Sequence, residues 1–316
     1  MAEIKKIATR ESYGEALAEF GAVYENLVVL DADLSKSTKT VTFKKKFPER
    51  HINCGIAECN MMSVAAGLAT TGKIVFASTF AMFAAGRAFE QVRNSIGYPH
   101  LNVKIGATHA GLSVGEDGAT HQCCEDLGLM RTIPGMVILN PSDDVESRAA
   151  VEAAIKHDGP VYLRFGRLSV PTINDHPGYK FEIGKGIELA GGADVTIIAT
   201  GLMVPEALEA KKILAQSDID ARVVNIHTIK PIDREIIAKA AAETGAIVTA
   251  EEHSIIGGLG SAVCEVVAEE CPVPVVRVGV EDQFGKSGTA TAVLEYYGLT
   301  AANIAEKAKK AIALKA

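Results

Sequence analysis

Gly55–Thr79 reads GIAECNMMSVAAGLATTGKIVFAST. Its first part reads as a helix over 56–71. After Gly72, KIVFAST (73–79) is a β-branched apolar run without polar alternation. A strand that is apolar on both sides needs cover on both faces, which a parallel sheet with crossover helices supplies. The same unit recurs outward along the chain. Strands are expected at NLVVLDAD (26–33), NVKIGATH (102–109), MVILNP (136–141) and VYLRF (161–165). Helical stretches lie at 10–22, 82–97, 121–132 and 143–157. Strand followed by helix, repeated, predicts parallel pairing through right-handed crossovers. Residues 169–190 break that rhythm with prolines, glycines and no long apolar run, and read as a linker. Alternation resumes with DVTIIAT (194–200), RVVNIHTI (222–229), AIVTAEE (246–252) and PVVRVGV (274–280). The expected fold class is α/β with two domains, 1–168 and 191–316, each a largely parallel sheet with helices on both faces.

Composition narrows the function classes. The 316 residues are 48% hydrophobic and 22% charged, with 32 basic side chains against 39 acidic ones and a net charge of −7. An acidic chain of this kind argues against nucleic acid or an anionic membrane as partner, since both call for a basic field. The run Lys44–Lys46 reads as a solvated face. No apolar stretch has signal-peptide or membrane-spanning length, so a cytoplasmic location is expected. Six cysteines, at 54, 59, 123, 124, 264 and 271, form no CxxC pair and no metal-type spacing with the eight histidines. They read as reduced thiols. Cys123 and Cys124 are expected on the buried side of a helix start, with a reactive thiol as the alternative.

Ligands of such sheets bind beyond the carboxyl ends of the strands. DADLSKS, STF, THAGLSVGEDGATHQ and RFGR each follow a strand. No phosphate loop of the GxxxxGK[ST] type is present. GGLG (257–260) lacks the full dinucleotide pattern and is expected to serve close helix–strand packing, with an anion cradle as the alternative. Glu58 falls in the first turn of a helix, where a carboxylate suits the dipole whether or not it has a chemical role. Phe80 and Phe83 are three residues apart and share one face of a helix start.

ATRESYGEALAEFG, DADLSKS, GIAECNM, STFAMF, THAGLSVGEDGATHQ, GPVYLRFGR and EEHSIIGGLGSAV occur in that order. Together they resemble the transketolases, which are thiamine-diphosphate enzymes, over essentially the whole chain. The resemblance is to the pyrimidine-binding and carboxy-terminal domains of that family. It implies that Glu58 hydrogen-bonds the aminopyrimidine ring of thiamine diphosphate and acts in catalysis. Phe80 and Phe83 would hold the same ring, and Asp33 would lie near the cofactor. Gly86 stands where many relatives carry a third aromatic. His109 is implied at the phosphate end of a sugar, Asp117 at a hydroxyl and His121 beside the reacting carbonyl. Arg10, Ser37 and Arg167 match the remaining phosphate-binding positions, where a guanidinium can grip phosphate with two parallel bonds. Gly115 and Gly118 are expected to let the loop approach a ligand closely.

The family holds Mg²⁺ and the diphosphate with a GDG motif and a later asparagine, and this sequence contains no GDG. The resemblance therefore implies the carboxy-terminal subunit of a two-chain transketolase. The metal ligands would lie in a separate amino-terminal subunit and none in this chain. A self-associating α2β2 heterotetramer acting on sugar phosphates in the pentose phosphate pathway is expected. The alternatives are a subunit like 1-deoxyxylulose-5-phosphate synthase or a 2-oxo-acid dehydrogenase β chain, and a non-catalytic interaction protein of the same fold.

Overall fold

The structure is a computed structural model and describes residues 5–315. The first half contains β1 (Lys6–Ala8), β2 (Leu27–Asp31), β3 (His51–Asn53), β4 (Ile74–Phe80), β5 (Val103–Thr108), β6 (Val137–Leu139), β7 (Val161–Arg164) and β8 (Ser169–Pro171). The second half contains β9 (Ile187–Ala190), β10 (Val195–Ala199), β11 (Ala221–Asn225), β12 (Thr228–Lys230), β13 (Ile247–Ser254) and β14 (Val275–Val280). A seven-stranded sheet runs β12-β6-β7-β5-β4-β2-β3, and a five-stranded one runs β14-β13-β10-β11-β9. All neighbours in the two sheets are parallel except β12 on β6 and β9 on β11.

Every residue of β2, β4, β5 and β7 is buried, as expected for strands covered on both faces. Even Lys104 lies inside. Its Nζ donates to the carbonyls of His157 at 2.7 Å and Gly159 at 2.6 Å, and burial pushes its pKa down to about 7. Among the described residues no helix is long and apolar enough to cross a membrane.

Some local expectations differ from what forms. RVVNIHTI is not one strand: β11 ends at Asn225, and β12 joins the edge of the other sheet, antiparallel to β6. His227 lies at the crossing, stacked on Phe181 at 4.2 Å. Its carbonyl accepts from the Asn140 N–H at 2.8 Å. The segment 169–190, expected as a linker, contributes two short strands. β8 pairs with β1, and β9 edges the second sheet. Asp143 accepts the N–H groups of Ile173 and Asn174 at 2.8 and 2.7 Å. The helix expected over 121–132 forms only at Asp126–Arg131, and 82–97 winds largely as π-helical turns.

The two units share apolar core, with Ile138 and Tyr162 of the first sheet in one cluster with Ile198, Ile226 and Val263. They also share a buried polar joint. Arg164 at the end of β7 donates to both carboxylate oxygens of Asp126, at 2.8 and 3.2 Å, and to the Glu252 carbonyl of β13 at 2.9 Å. Tyr162 donates to Asp126 as well, at 2.9 Å. Removing one partner of a buried pair strands the other charge. Arg164→Met is therefore expected to lower unfolding free energy by about 3–5 kcal/mol in a denaturant titration. Adding Asp126→Leu should return part of that loss; a double variant less stable than Arg164→Met would refute the pairing argument.

Candidate active site

The strand order places the carboxyl ends of β7, β5, β4 and β2 side by side. Residues just beyond these ends therefore line one rim. Arg167 follows β7, His109 follows β5, Phe80 ends β4, and Asp33 and Ser37 follow β2. Arg10 comes to the same rim from the first turn of helix Thr9–Phe20.

The rings form a tray. Phe80 stacks on His109 with centroids 3.9 Å apart and on Phe83 at 5.7 Å. His121 stands edge-on to Phe83 at 5.5 Å and to Phe80 at 6.3 Å. At one side of the tray Arg10 Nη1 donates to His109 Nε2 at 2.9 Å and to the Ser37 carbonyl at 3.0 Å. A guanidinium can only donate, so Nε2 is an acceptor and the ring proton sits on Nδ1. From there it donates to Thr108 Oγ1 at 2.9 Å. His109 is thus a neutral ring that orients Arg10. Burial, followed by the nearby charges of Arg10 and Arg167, pushes its pKa down to about 3. Arg167 Nη1 donates to the Val114 carbonyl and, at 3.1 Å, to Glu116.

At the other side Glu58, first residue of helix Glu58–Ala69, is 2% exposed. Arg87 answers its carboxylate at 2.8 Å and lies over the Phe83 ring at 4.5 Å. Sequence reasoning missed Arg87, although its spacing of one helical turn from Phe83 was a usable signal. Asp31 was missed too. It is the buried last residue of β2 and accepts from Thr38 at 2.7 Å and Thr40 at 2.9 Å, shaping the DADLSKS turn. Burial raises its pKa.

Some expected residues stand apart from the tray. Asp33, in left-handed backbone with φ 64°, exchanges hydrogen bonds with Asn53, both at 3.0 Å. Ser37 meets Arg10 through its carbonyl rather than its hydroxyl. Asp117 is exposed on the turn Gly115–Asp117. The chain itself makes the close approach at Gly118: a Cβ there would lie 2.3 Å from Ser287 Oγ. GGLG is not an anion cradle, because Glu251 already accepts the Leu259 and Gly260 N–H groups at 2.6 and 2.8 Å. Cys123 and Cys124 are buried, and burial pushes both thiols up, away from a reactive thiolate.

Comparison with known proteins identifies the family. The family profile "Transketolase, pyrimidine binding domain" matches residues 5–172, and "Transketolase, C-terminal domain" matches 184–304. The chain belongs to the transketolase family. It is 54% identical to a putative transketolase C-terminal section from Methanocaldococcus jannaschii, over 94% of each chain. It is 45% identical to a 6-deoxy-6-sulfo-D-fructose transketolase subunit from Clostridium sp. (strain MSTE9), covering 95% of this chain and 92% of that one. A solved split-gene transketolase, described as an inactive beta4 tetramer, superposes with a TM-score of 0.92 at 58% identity. The match covers 98% of this chain and 100% of that one. In a transketolase pyrimidine-binding domain the tray has a fitting guest. Two phenyl faces beside a buried carboxylate suit a planar, basic heteroaromatic ring, and Arg87, itself planar and cationic, satisfies the same two contacts here.

The depressed pKa of His109 fixes a sign. The unfolded ring binds a proton near pH 6.5 and the folded ring only near pH 3. Between those values the unfolded state holds more protons, so stability falls as pH falls. His109→Gln is expected to flatten part of the stability decline between pH 6.5 and 4, measured by denaturant midpoints. An unchanged slope would contradict the buried neutral ring.

Proposed function

We propose that this chain is the carboxy-terminal subunit of a two-chain transketolase, moving a two-carbon ketol unit from a ketose phosphate to an aldose phosphate. The observation that carries the reading is the shared rim: an aromatic tray with a buried carboxylate at one side and an arginine–histidine pair at the other. Thiamine diphosphate would supply the carbon nucleophile and electron sink for breaking and remaking a carbon–carbon bond beside a carbonyl. Phe80 and Phe83 would hold its pyrimidine ring, with Asp33 close by. Glu58 would release Arg87 and hold a proton at the ring nitrogen. His121, edge-on to the tray, would face the reacting carbonyl and Asp117 a sugar hydroxyl. Arg10, Ser37, His109 and Arg167 would take the phosphate, with Arg10 as donor and His109 as its support.

The chain carries no GDG motif, so diphosphate and Mg²⁺ would be held by an amino-terminal subunit, with the site between the two chains in an α2β2 assembly. Similarity to a transketolase C-terminal section and to a split-gene transketolase supports that division. Six free cysteines suit a reducing, cytoplasmic setting. The sulfofructose relative favours a second reading of the substrate, a sugar sulfonate, since the same guanidinium groups can grip either anion.

The test is reconstitution. With an amino-terminal subunit, thiamine diphosphate and Mg²⁺, the chain is expected to transfer ketol units; alone it should not. Glu58→Gln should cut the reconstituted turnover by about 10²–10⁴. Full turnover by the isolated chain would overturn the two-chain reading.

Arg167→Ala is expected to lower kcat/KM for sugar phosphates by about ten- to a hundredfold, the value of a charged hydrogen bond. It should largely spare hydroxypyruvate, which has no phosphate. Equal losses on both would assign Arg167 to holding Val114 and Glu116 instead.

A further inference from the structure

The loop that carries Asp117 and His121 runs from the end of β5 to helix Asp126–Arg131. Its base is closed by the Gly111 N–H, which donates to the Cys123 carbonyl at 2.8 Å. Inside it sits Gln122, 4% exposed. Its Nε2 faces three carbonyl oxygens, those of Leu112 at 3.1 Å, Gly115 at 3.4 Å and Lys286 at 2.9 Å. Three acceptors around one atom require a donor there, so the amide has a single orientation.

Lys286 belongs to the second unit, and it is not alone in reaching this loop. Glu252 of β13 accepts the Ser113 N–H at 2.5 Å. Ser254, also of β13, donates its N–H to the Cys124 carbonyl at 2.8 Å. The segment after β14 lies against the loop so closely that a Cβ on Gly285 would fall 1.8 Å from Gln122 Oε1. Its backbone is fixed in turn by Tyr297, whose hydroxyl donates to the Phe284 carbonyl at 2.6 Å. The loop is thus held near its start at Ser113 and near its end at Gln122 and Cys124 by the carboxy-terminal unit.

We propose that Gln122 is a positioning residue through which the carboxy-terminal unit fixes the substrate loop, setting the place of Asp117 and His121. The amide is buried, and its Nε2 is spent on three backbone carbonyls. It follows His121 directly and binds the carbonyl of Gly115, the first residue of the turn that ends in Asp117. A slack amide moves both residues while the tray of Glu58, Phe80 and Phe83 stays in place. The substrate consequence rests on the function proposed above; the loop consequence does not.

The experiment perturbs the contact from each side. Gln122→Met keeps the length and removes the donor. Gly285→Ala leaves Gln122 intact and wedges it from an outer segment of the other unit. In the reconstituted two-chain enzyme, both variants are expected to raise KM for sugar phosphates about tenfold while thiamine diphosphate affinity, measured by calorimetry, stays within about twofold. In the full chain by itself, both should speed backbone hydrogen exchange across 112–122 and leave β4 unchanged. Wild-type exchange in that loop for both variants would overturn the proposal, whatever the enzyme's activity proves to be. So would a rise in KM matched by losses of cofactor affinity and thermal midpoint, which together mark a general loss of structure. Faster loop exchange in both variants, together with a wild-type enzyme that transfers no ketol unit, would refute the function proposed above and leave the clamp standing.

Discussion

Arg164 at the end of β7 is buried against Asp126, and the rest of the rim depends on that joint. A charged pair out of water is stable only when each of its hydrogen-bonding atoms finds a partner. The partners here come from three places: β7, helix Asp126–Arg131 and β13 of the second unit. Satisfying them brings the end of the first sheet, the exit of the loop over 110–124 and the second unit into one register. The loop over 110–124 lies between these fixed points, which is why a stretch rich in glycine and polar residues keeps a defined course.

The electrostatics of the rim divide in two. On one side a neutral imidazole backs a guanidinium, leaving Arg10 and Arg167 as the fixed positive groups of the rim. On the other a buried carboxylate is balanced by Arg87, which is half exposed, so the carboxylate stays paired only while Arg87 or another donor faces it. A net acidic chain can hold an anion in this way because the attraction is local and geometric rather than a property of the whole field.

The alternation of strands and helices was legible because strands buried on both faces cannot hide their composition. IVFAST and LVVL have no polar face to show. Elements whose pairing is set by distant residues were not legible in the same way. The split of RVVNIHTI into β11 and β12 follows from the Asn140 N–H bonding the His227 carbonyl, and from a free edge at β6. The order in 169–190 comes from Asp143 and β1, far away in sequence.

The sequence by itself determined the α/β class and the family, and it singled out Phe80, Phe83, His109, His121 and Arg10, which fold together at the rim, because residue types at strand ends and motif order are local properties of the chain. Tertiary structure alone decided how they are used. It made His109 a neutral support for Arg10, since only folding buries the ring beside a guanidinium. It paired Glu58 with Arg87, and it filled the helix start at GGLG with Glu251. It also set Gln122 against Lys286, 164 residues away. Proton positions, ion pairs and clamps depend on which groups share a desolvated space, and that is fixed only when the two sheets close on each other.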